Sequence, residues 1–151
     1  MRYFVMEPQG DVLLPAAPKS DSKNAINSSD LDRFANVDYD MRSELISDRL
    51  MLLMEMYLPK YEFDSVVYFD AAKKENLIFW RFTPPHYADY RADFRNDGIV
   101  SRIVPTEKHM PVVFTARSPK GKRSVVVSLA VAESALRRGI FGVKFTKITD
   151  E

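Results

Sequence analysis

The chain has 151 residues, 46% of them hydrophobic and 12% aromatic, which is enough apolar material for the core of one domain and argues against disorder of the whole chain. The absence of cysteine excludes a disulfide framework, a thiolate metal site and a cysteine nucleophile. The net charge of +1 and the lack of a long apolar run favour neither a nucleic-acid partner nor a membrane, and we expect a cytoplasmic protein.

The first 40 residues are predicted to contain one short strand and then a long loop. Residues 2–6 favour an extended strand because aromatic and β-branched side chains follow one another there. Residues 7–40 are interrupted by prolines, a glycine and polar clusters. Loops of this length are uncommon in compact domains unless they are functional or mobile, so region 7–40 is a candidate for a partner-facing or disordered segment.

A first helix is predicted after Ser47, whose hydroxyl can accept a hydrogen bond from an amide of the first turn. Pro59 ends the helix because proline cannot continue the hydrogen-bond pattern. Five residues recur between them at helical spacing and define one apolar face: Leu50, Leu53, Met54, Tyr57 and Leu58.

A second helix is predicted after Ser128, which stands in the same position as Ser47. Arg137 and Arg138 suit the negative end of this helix, and Gly139 suits a left-handed cap behind it. We interpret Ser47, Ser128 and Gly139 as structural caps. The expected apolar face of the second helix consists of Leu129, Ala132, Ala135 and Leu136.

The remaining apolar runs predict strands over 63–69, 76–82, 99–104, 111–117, 123–127 and 141–146, with the first two forming a hairpin. Run 76–82 is apolar on both sides, so we expect both of its faces to be covered and Trp80 to lie in the core. Strands and helices do not alternate strictly. The pattern therefore predicts a single α+β domain over 1–151, with a mainly antiparallel sheet and two or three amphipathic helices packed on it.

Segment 86–97 is the best local constellation of polar and aromatic residues, and the stretch 86–98 that contains it is ambiguous between a helical turn and a loop. On a helix, Asp89, Asp93 and Asp97 share one face and form either a metal or acid–base cluster, or solvated charges paired with the neighbouring arginines. Aromatic residues interleaved with arginine are typical of interface anchors. We take eight residues as the candidate partner-binding surface: His86, Tyr87, Asp89, Tyr90, Arg91, Asp93, Phe94 and Arg95.

Two further groups carry weaker signals. Arg117, Lys120, Lys122 and Arg123 form a basic turn, which either contacts nucleic-acid phosphates or keeps an exposed hairpin soluble. The chain has only two histidines, far apart in sequence, and neither forms part of a zinc motif. We predict no metal and no cofactor.

A resemblance to a bacterial polymorphic-toxin immunity family is carried by residues 47–50 (SDRL), 63–67 (FDSVV), 125–128 (VVVS) and 135–145 (ALRRGIFGVKF), with the opening RYFVM at 2–6. This is immunity protein family eleven, formerly catalogued as a domain of unknown function. The resemblance implies a non-catalytic protein that neutralises a cognate toxin by stoichiometric binding inside the cell that makes the toxin. It supplies no catalytic residues, because the shared positions are caps, turn glycines and core aromatics.

Charge is uneven along the chain, which bears on the nature of the partner. Residues 1–70 carry 7 basic against 13 acidic residues, and residues 71–151 carry 15 against 8. If the toxin is a basic nuclease, the acidic half is its natural complement, with Asp30, Asp32, Asp38 and Asp40 as a candidate acidic surface. The alternatives are a general interaction domain and a hydrolase or metal-dependent enzyme that uses carboxylates near Asp89 and Asp93.

Overall fold

The computed structural model describes residues 2–15, 25–106 and 109–148, in which two helices accompany three sheets. Strands outnumber helices and pair antiparallel everywhere except between β2 and β5, which confirms the predicted α+β class with mainly antiparallel sheets. Neither α-helix in these ranges has the length and apolarity needed to span a membrane. In chain order the elements are β1 (Tyr3–Pro8), β2 (Ala25–Asn27), a 3₁₀ helix (Leu31–Phe34), β3 (Tyr39–Asp40), β4 (Leu45–Ser47), α1 (Asp48–Tyr57), β5 (Ser65–Asp70), β6 (Glu75–Arg81), β7 (Tyr90–Phe94), β8 (Val100–Pro105), β9 (Val113–Arg117), β10 (Arg123–Ser128), α2 (Leu129–Arg137) and β11 (Val143–Ile148).

The first sheet has the strand order β11-β1-β10-β9 and joins the two ends of the described chain. Strand β1 lies in its interior, with Tyr3 opposite both Ser128 of β10 and Ile148 of β11. Because successive side chains of a strand point to opposite faces, Val5 and Met6 enter two different cores. The sheet is therefore apolar on both sides and is covered on both sides.

One face of the first sheet is covered by the two-stranded ribbon β7–β8. Residues 90–94 are a strand, so the interpretation of segment 86–98 as a helical turn or a loop is wrong over that stretch. The inner side chains of β7 pack toward the sheet while the outer ones meet solvent. The buried residues of this core are Tyr3, Val5, Ile99, Val100, Ile103, Phe114, Ala116, Val126 and Ile148.

The other face of the first sheet packs against both helices and the adjoining edge of the second sheet. The apolar residues predicted for α1 point into this core, where Leu50, Leu53 and Met54 have no exposed surface. Residues 61–63 and Phe82 add an aromatic cluster at its margin, in which the Phe63 and Phe82 rings stack 6.0 Å apart. This largest core thus fastens the two sheets to each other.

The second sheet has the order β2-β5-β6-β4-β3. The predicted hairpin is confirmed as β5 and β6, in which Val66 lies opposite Phe79 and Tyr68 opposite Leu77. One face of this sheet is covered by the 3₁₀ helix and by Leu14, so the described parts of region 7–40 contain short elements that contribute core residues. Residues 16–24 of that predicted loop lie outside the described residues.

The two serine caps differ, although both serines occupy the position before a helix. The Ser47 Oγ accepts a hydrogen bond from the Leu50 N–H at 3.2 Å, as predicted. Ser128 occupies the N-cap position of α2, but its Oγ makes no capping bond and has no hydrogen-bond partner among the described residues, so the predicted capping bond is wrong for Ser128. Gly139 adopts a positive φ of 71° behind α2, as expected for a left-handed cap.

The buried face of α2 also differs from the predicted one. Leu136 is 54% exposed, whereas Val131, Ala132 and Ala135 are buried. Helical spacing alone places Leu136 next to Ala132, but the helix is rotated so that Val131 points into the core instead.

We expect Ser47→Ala to lower the free energy of unfolding by about 1–3 kcal/mol and Ser128→Ala to change it by less than about 0.5 kcal/mol. The first change removes a helix cap together with a buried hydrogen bond to Asp38, and the second removes only an unpaired hydroxyl. Urea denaturation of the two variants provides the comparison. Equal losses of stability would contradict the difference between the two caps.

Candidate functional site

The aromatic residues of segment 86–97 point inward. The ring centroids of Tyr87 and Tyr90 lie 5.4 and 6.0 Å from that of Phe114, in the core beneath the ribbon. Phe94 packs against the same core. These three residues are therefore not free anchors for a partner, contrary to the prediction. The exposed members of the predicted surface are His86, Asp89, Arg91, Asp93 and Arg95.

The predicted carboxylate face of Asp89, Asp93 and Asp97 does not form. Only Asp93 belongs to strand β7, whereas Asp89 precedes the strand and Asp97 follows it, so the three side chains do not share a helix face. Asp93 faces Arg102 at 3.3 Å, and Asp97 lies in the following turn with Arg95 at 2.6 Å. Among the described residues, no cluster of three or more histidine and carboxylate side chains could hold a metal ion.

Arg95 fastens the ribbon to the first sheet. Its guanidinium donates to Glu7 on β1 at 2.8 Å and to Asp97 at 2.6 Å. Burial alone would raise the pKa of Glu7, but hydrogen bonds from Arg95 and Thr146 outweigh burial and leave the pKa below its ordinary value. The hydrogen bond from Arg95 lowers the pKa of Asp97 to about 2. Arg95 thus has a structural role in this network.

Only half of the predicted acidic surface lies at the surface. Asp30 and Asp32 are exposed beside the 3₁₀ helix, whereas Asp38 and Asp40 are each only 1% exposed. Asp40 accepts hydrogen bonds from backbone N–H groups before and after it, those of Leu14 at 3.0 Å and Ser43 at 3.2 Å. The prediction is wrong for Asp38 and Asp40 because both carboxylates serve interior donors.

Asp38 joins three parts of the chain. Its carboxylate accepts from the Ser47 hydroxyl at 2.6 Å, from Arg49 at 2.9 Å and from the Gly142 N–H at 2.7 Å. A Cβ on Gly142 would collide with Asp38 and with the carbonyl of Asn36, so only glycine allows this close approach. Gly142, which belongs to the segment that resembles the immunity family, is therefore needed for the close packing of the chain around Asp38.

The basic turn is only partly free. Arg117, Lys120 and Lys122 are exposed around the β9–β10 turn, but Arg123 is half-buried and paired with Glu44. The stem of Lys122 lies against Gly98 of the neighbouring β7–β8 turn. Arg123 and Lys122 of the basic turn therefore contact neighbouring loops, whereas Arg117 and Lys120 remain exposed.

The second sheet has one face that is only partly covered. Val67 lies opposite Ile78 across β5 and β6, on the side away from Val66 and Phe79. Ile78 is 42% exposed. The expectation that β6 is covered on both faces is thus wrong at this end of the sheet. We call this surface the open face; it consists of Val67, Phe69, Ile78 and Trp80.

The open face borders α1 at Trp80. Its indole Nε1 donates to Asp48 Oδ1 at 2.9 Å, and its ring is half-buried against the largest core. Val67, Phe69 and Ile78 belong to none of the three cores built from the described residues. Trp80 therefore joins a packed region to an apolar surface that meets solvent.

A second exposed apolar group lies on α1 and in the loop after α2. Leu52 and Met56 are about half exposed one turn apart on α1, and Phe141 is 71% exposed. Arg138 contacts the Met56 sulfur at 3.3 Å, which brings the end of α2 to this side of α1. Arginine, methionine and an aromatic ring are residue types enriched in interfaces.

A well-formed cleft lies where the two sheets meet and has a volume of about 490 Å³. Apolar walls come from both sheets, and polar groups surround them. Its lining comprises Pro8, Leu13, Tyr39, Asp40, Met41, Arg42, Glu44, Phe82, Thr83, Thr115, Gly121, Lys122, Arg123 and Val125. Neither this cleft nor the open face was predicted as a site from the sequence.

Comparisons of the chain with family models, with curated proteins and with solved structures found no match.

Proposed function

We propose that this protein is a non-catalytic binding domain that neutralises a cognate bacterial toxin by stoichiometric binding in the cytoplasm. The observation that carries the proposal is the open face, an apolar sheet surface that none of the three cores covers. Strands with apolar residues on both sides are normally covered on both sides. A protein partner would cover Val67, Phe69 and Ile78 in the same way that α1 covers the part of this sheet near Trp80.

The chemistry of the open face suits a protein partner. Two aromatic and two β-branched side chains stand on neighbouring strands, with Val67 and Ile78 in direct register. Large aromatic residues at the centre of an interface carry a large share of its binding energy. Trp80 is already oriented by its bond to Asp48, so little conformational freedom is lost when a partner covers it.

The toxin as partner is supported by the resemblance of residues 47–50, 63–67, 125–128 and 135–145 to the immunity family. The cap at Ser47, the cap at Gly139 and the close approach at Gly142 give these positions structural roles. The acidic complement is reduced to Asp30 and Asp32, so we place the main contact on the open face. The enzyme alternative started from Asp89, Asp93 and Asp97 on one helix face, whereas Asp93 lies on strand β7 and pairs with Arg102.

Capture from the native lysate with the tagged protein, followed by mass spectrometry, is expected to recover one stoichiometric toxin. Ile78→Lys should then weaken binding to that toxin by at least about thirtyfold, as for a central interface residue. Its thermal stability should change little, because Ile78 is already 42% exposed.

Leu136→Lys is the matched control, since it places the same charge on an exposed leucine of α2. It should retain full binding and full protection of cells that express the toxin. Equal toxin affinity of Ile78→Lys and the wild type would reject the open face as the interface. Enzymatic turnover by the purified chain alone would reject the non-catalytic proposal.

A further inference from the structure

The cleft between the two sheets has the features of a small-molecule site. Its volume of about 490 Å³ lies within the range of ligand pockets, roughly 300–1,000 Å³. Pro8 on β1, Phe82 after β6 and Val125 on β10 supply apolar walls. Elements from both sheets are therefore needed to form it.

The carboxylates in the cleft are already satisfied. Asp40 accepts from two backbone N–H groups, and Glu44 accepts from the Thr83 hydroxyl and pairs with Arg123. Glu44 also has a positive φ of 55°, a conformation that is strained for a residue other than glycine. Strained backbone is found preferentially at ligand sites, and here it holds Glu44 against Arg123.

Arg42 is the positively charged residue of the cleft lining that remains able to bind an anion. Its Nη2 donates to the Leu14 carbonyl at 2.6 Å, and it has no carboxylate within ion-pair distance among the described residues. A guanidinium carries five N–H donors in a planar fork, so several remain for an anion. Lys122 also lines the cleft, but its stem lies against Gly98 of the β7–β8 turn.

Tyr39 supplies a second donor inside the cleft. It is only 3% exposed, and its hydroxyl forms no hydrogen bond with any residue in the described ranges. Burial, with a contribution from the charge of Glu44, raises the pKa of this phenol well above its ordinary value, so the hydroxyl keeps its proton. A phenol hydroxyl that keeps its proton can donate a hydrogen bond to an anionic ligand oxygen.

We propose that this cleft binds an organic anion, a carboxylate or phosphate monoester, whose acidic group lies between Arg42 and the Tyr39 hydroxyl. The apolar body of the ligand packs against Phe82 and Val125. Leu13, which is 54% exposed at the edge of the cleft, is then covered in part. This site is separate from the open face and does not depend on the toxin proposal.

Four probes test the proposal by isothermal titration calorimetry: 1-naphthyl phosphate, 1-naphthoate, 1-naphthol and inorganic phosphate. The two naphthyl anions should bind the wild type more tightly than either the neutral naphthol or the free ion. Arg42→Ala and Tyr39→Phe should each weaken binding of the better anion by about tenfold. The ratio of the two anion affinities then distinguishes a carboxylate site from a phosphate site.

Arg137→Ala is the control, because it removes an exposed arginine of α2 that is not part of the cleft. Thermal melting confirms that each variant is folded, and Tyr39→Phe keeps the ring and its packing. Unchanged anion affinity in Arg42→Ala would overturn the proposal. Naphthol binding as tightly as the anions, free phosphate binding as tightly as naphthyl phosphate, or no binding of any probe to the wild type would overturn it as well.

Discussion

Replacement of Asp38 by alanine should lower the free energy of unfolding by about 2–5 kcal/mol. The carboxylate is 1% exposed and accepts from the Ser47 hydroxyl and the Gly142 N–H, two donors that would lose their partner. Arg49 contributes less to this loss, because its side chain is half exposed and can return to water. Urea denaturation of the purified variant measures the change.

Asp30→Ala is the matched control for Asp38, since both aspartates were predicted to lie on the same acidic surface. Asp30 is exposed and its side chain does not cap the 3₁₀ helix, so its replacement should cost only about 1 kcal/mol or less, which is the cost of placing alanine at a φ of 56°. If Asp38→Ala costs no more than Asp30→Ala, the carboxylate is not the junction described above.

Replacement of Phe114 by alanine should lower the free energy of unfolding by about 3–5 kcal/mol. Its side chain is 1% exposed and contacts three aromatic rings, those of Tyr3, Tyr87 and Tyr90. The cavity would lie directly beneath residues 86–94. We therefore expect the amides of β7 to exchange faster with solvent than those of β5, which belongs to the other sheet.

Phe141→Ala controls for the loss of a phenyl ring without the loss of packing. Phe141 is 71% exposed, so its replacement should leave the unfolding free energy within about 0.5 kcal/mol of the wild type. Similar losses in the two variants would show that burial does not decide the effect. Uniform acceleration of exchange over both sheets would show that the ribbon does not depend on Phe114 in particular.

The sequence predicts most elements because their signals are local. Pro59, the spacing of Leu50, Leu53 and Met54, and the Ser47 hydroxyl all act within α1 itself. Strand β7 also has a local signal in the sequence, the alternation of aromatic or small residues with charged residues over 90–94. Its inner and outer side chains alternate strictly, and this period of two favours a strand over a helical turn.

The candidate sites were not predicted because their causes are distant in sequence. Asp38 binds the amide of Gly142, 104 residues further along the chain, so no pattern around Asp38 reveals its burial. The sequence shows that both faces of β6 are apolar. It does not show that α1 covers only the end of the sheet near Trp80. The cleft likewise requires Arg42 from one sheet region and Val125 from the other.

The position of β1 makes the folding of the first sheet depend on residues far along the chain. Residues 3–8 pair with β11 on one side, and residues 3–5 pair with β10 on the other. During synthesis the apolar side chains of β1 therefore lack a partner strand until β10 has left the ribosome, and the sheet is complete only when β11 has followed. Closing a loop of this length before the contacts form is a slow step. Until then the apolar strand β1 is exposed to aggregation and to chaperones.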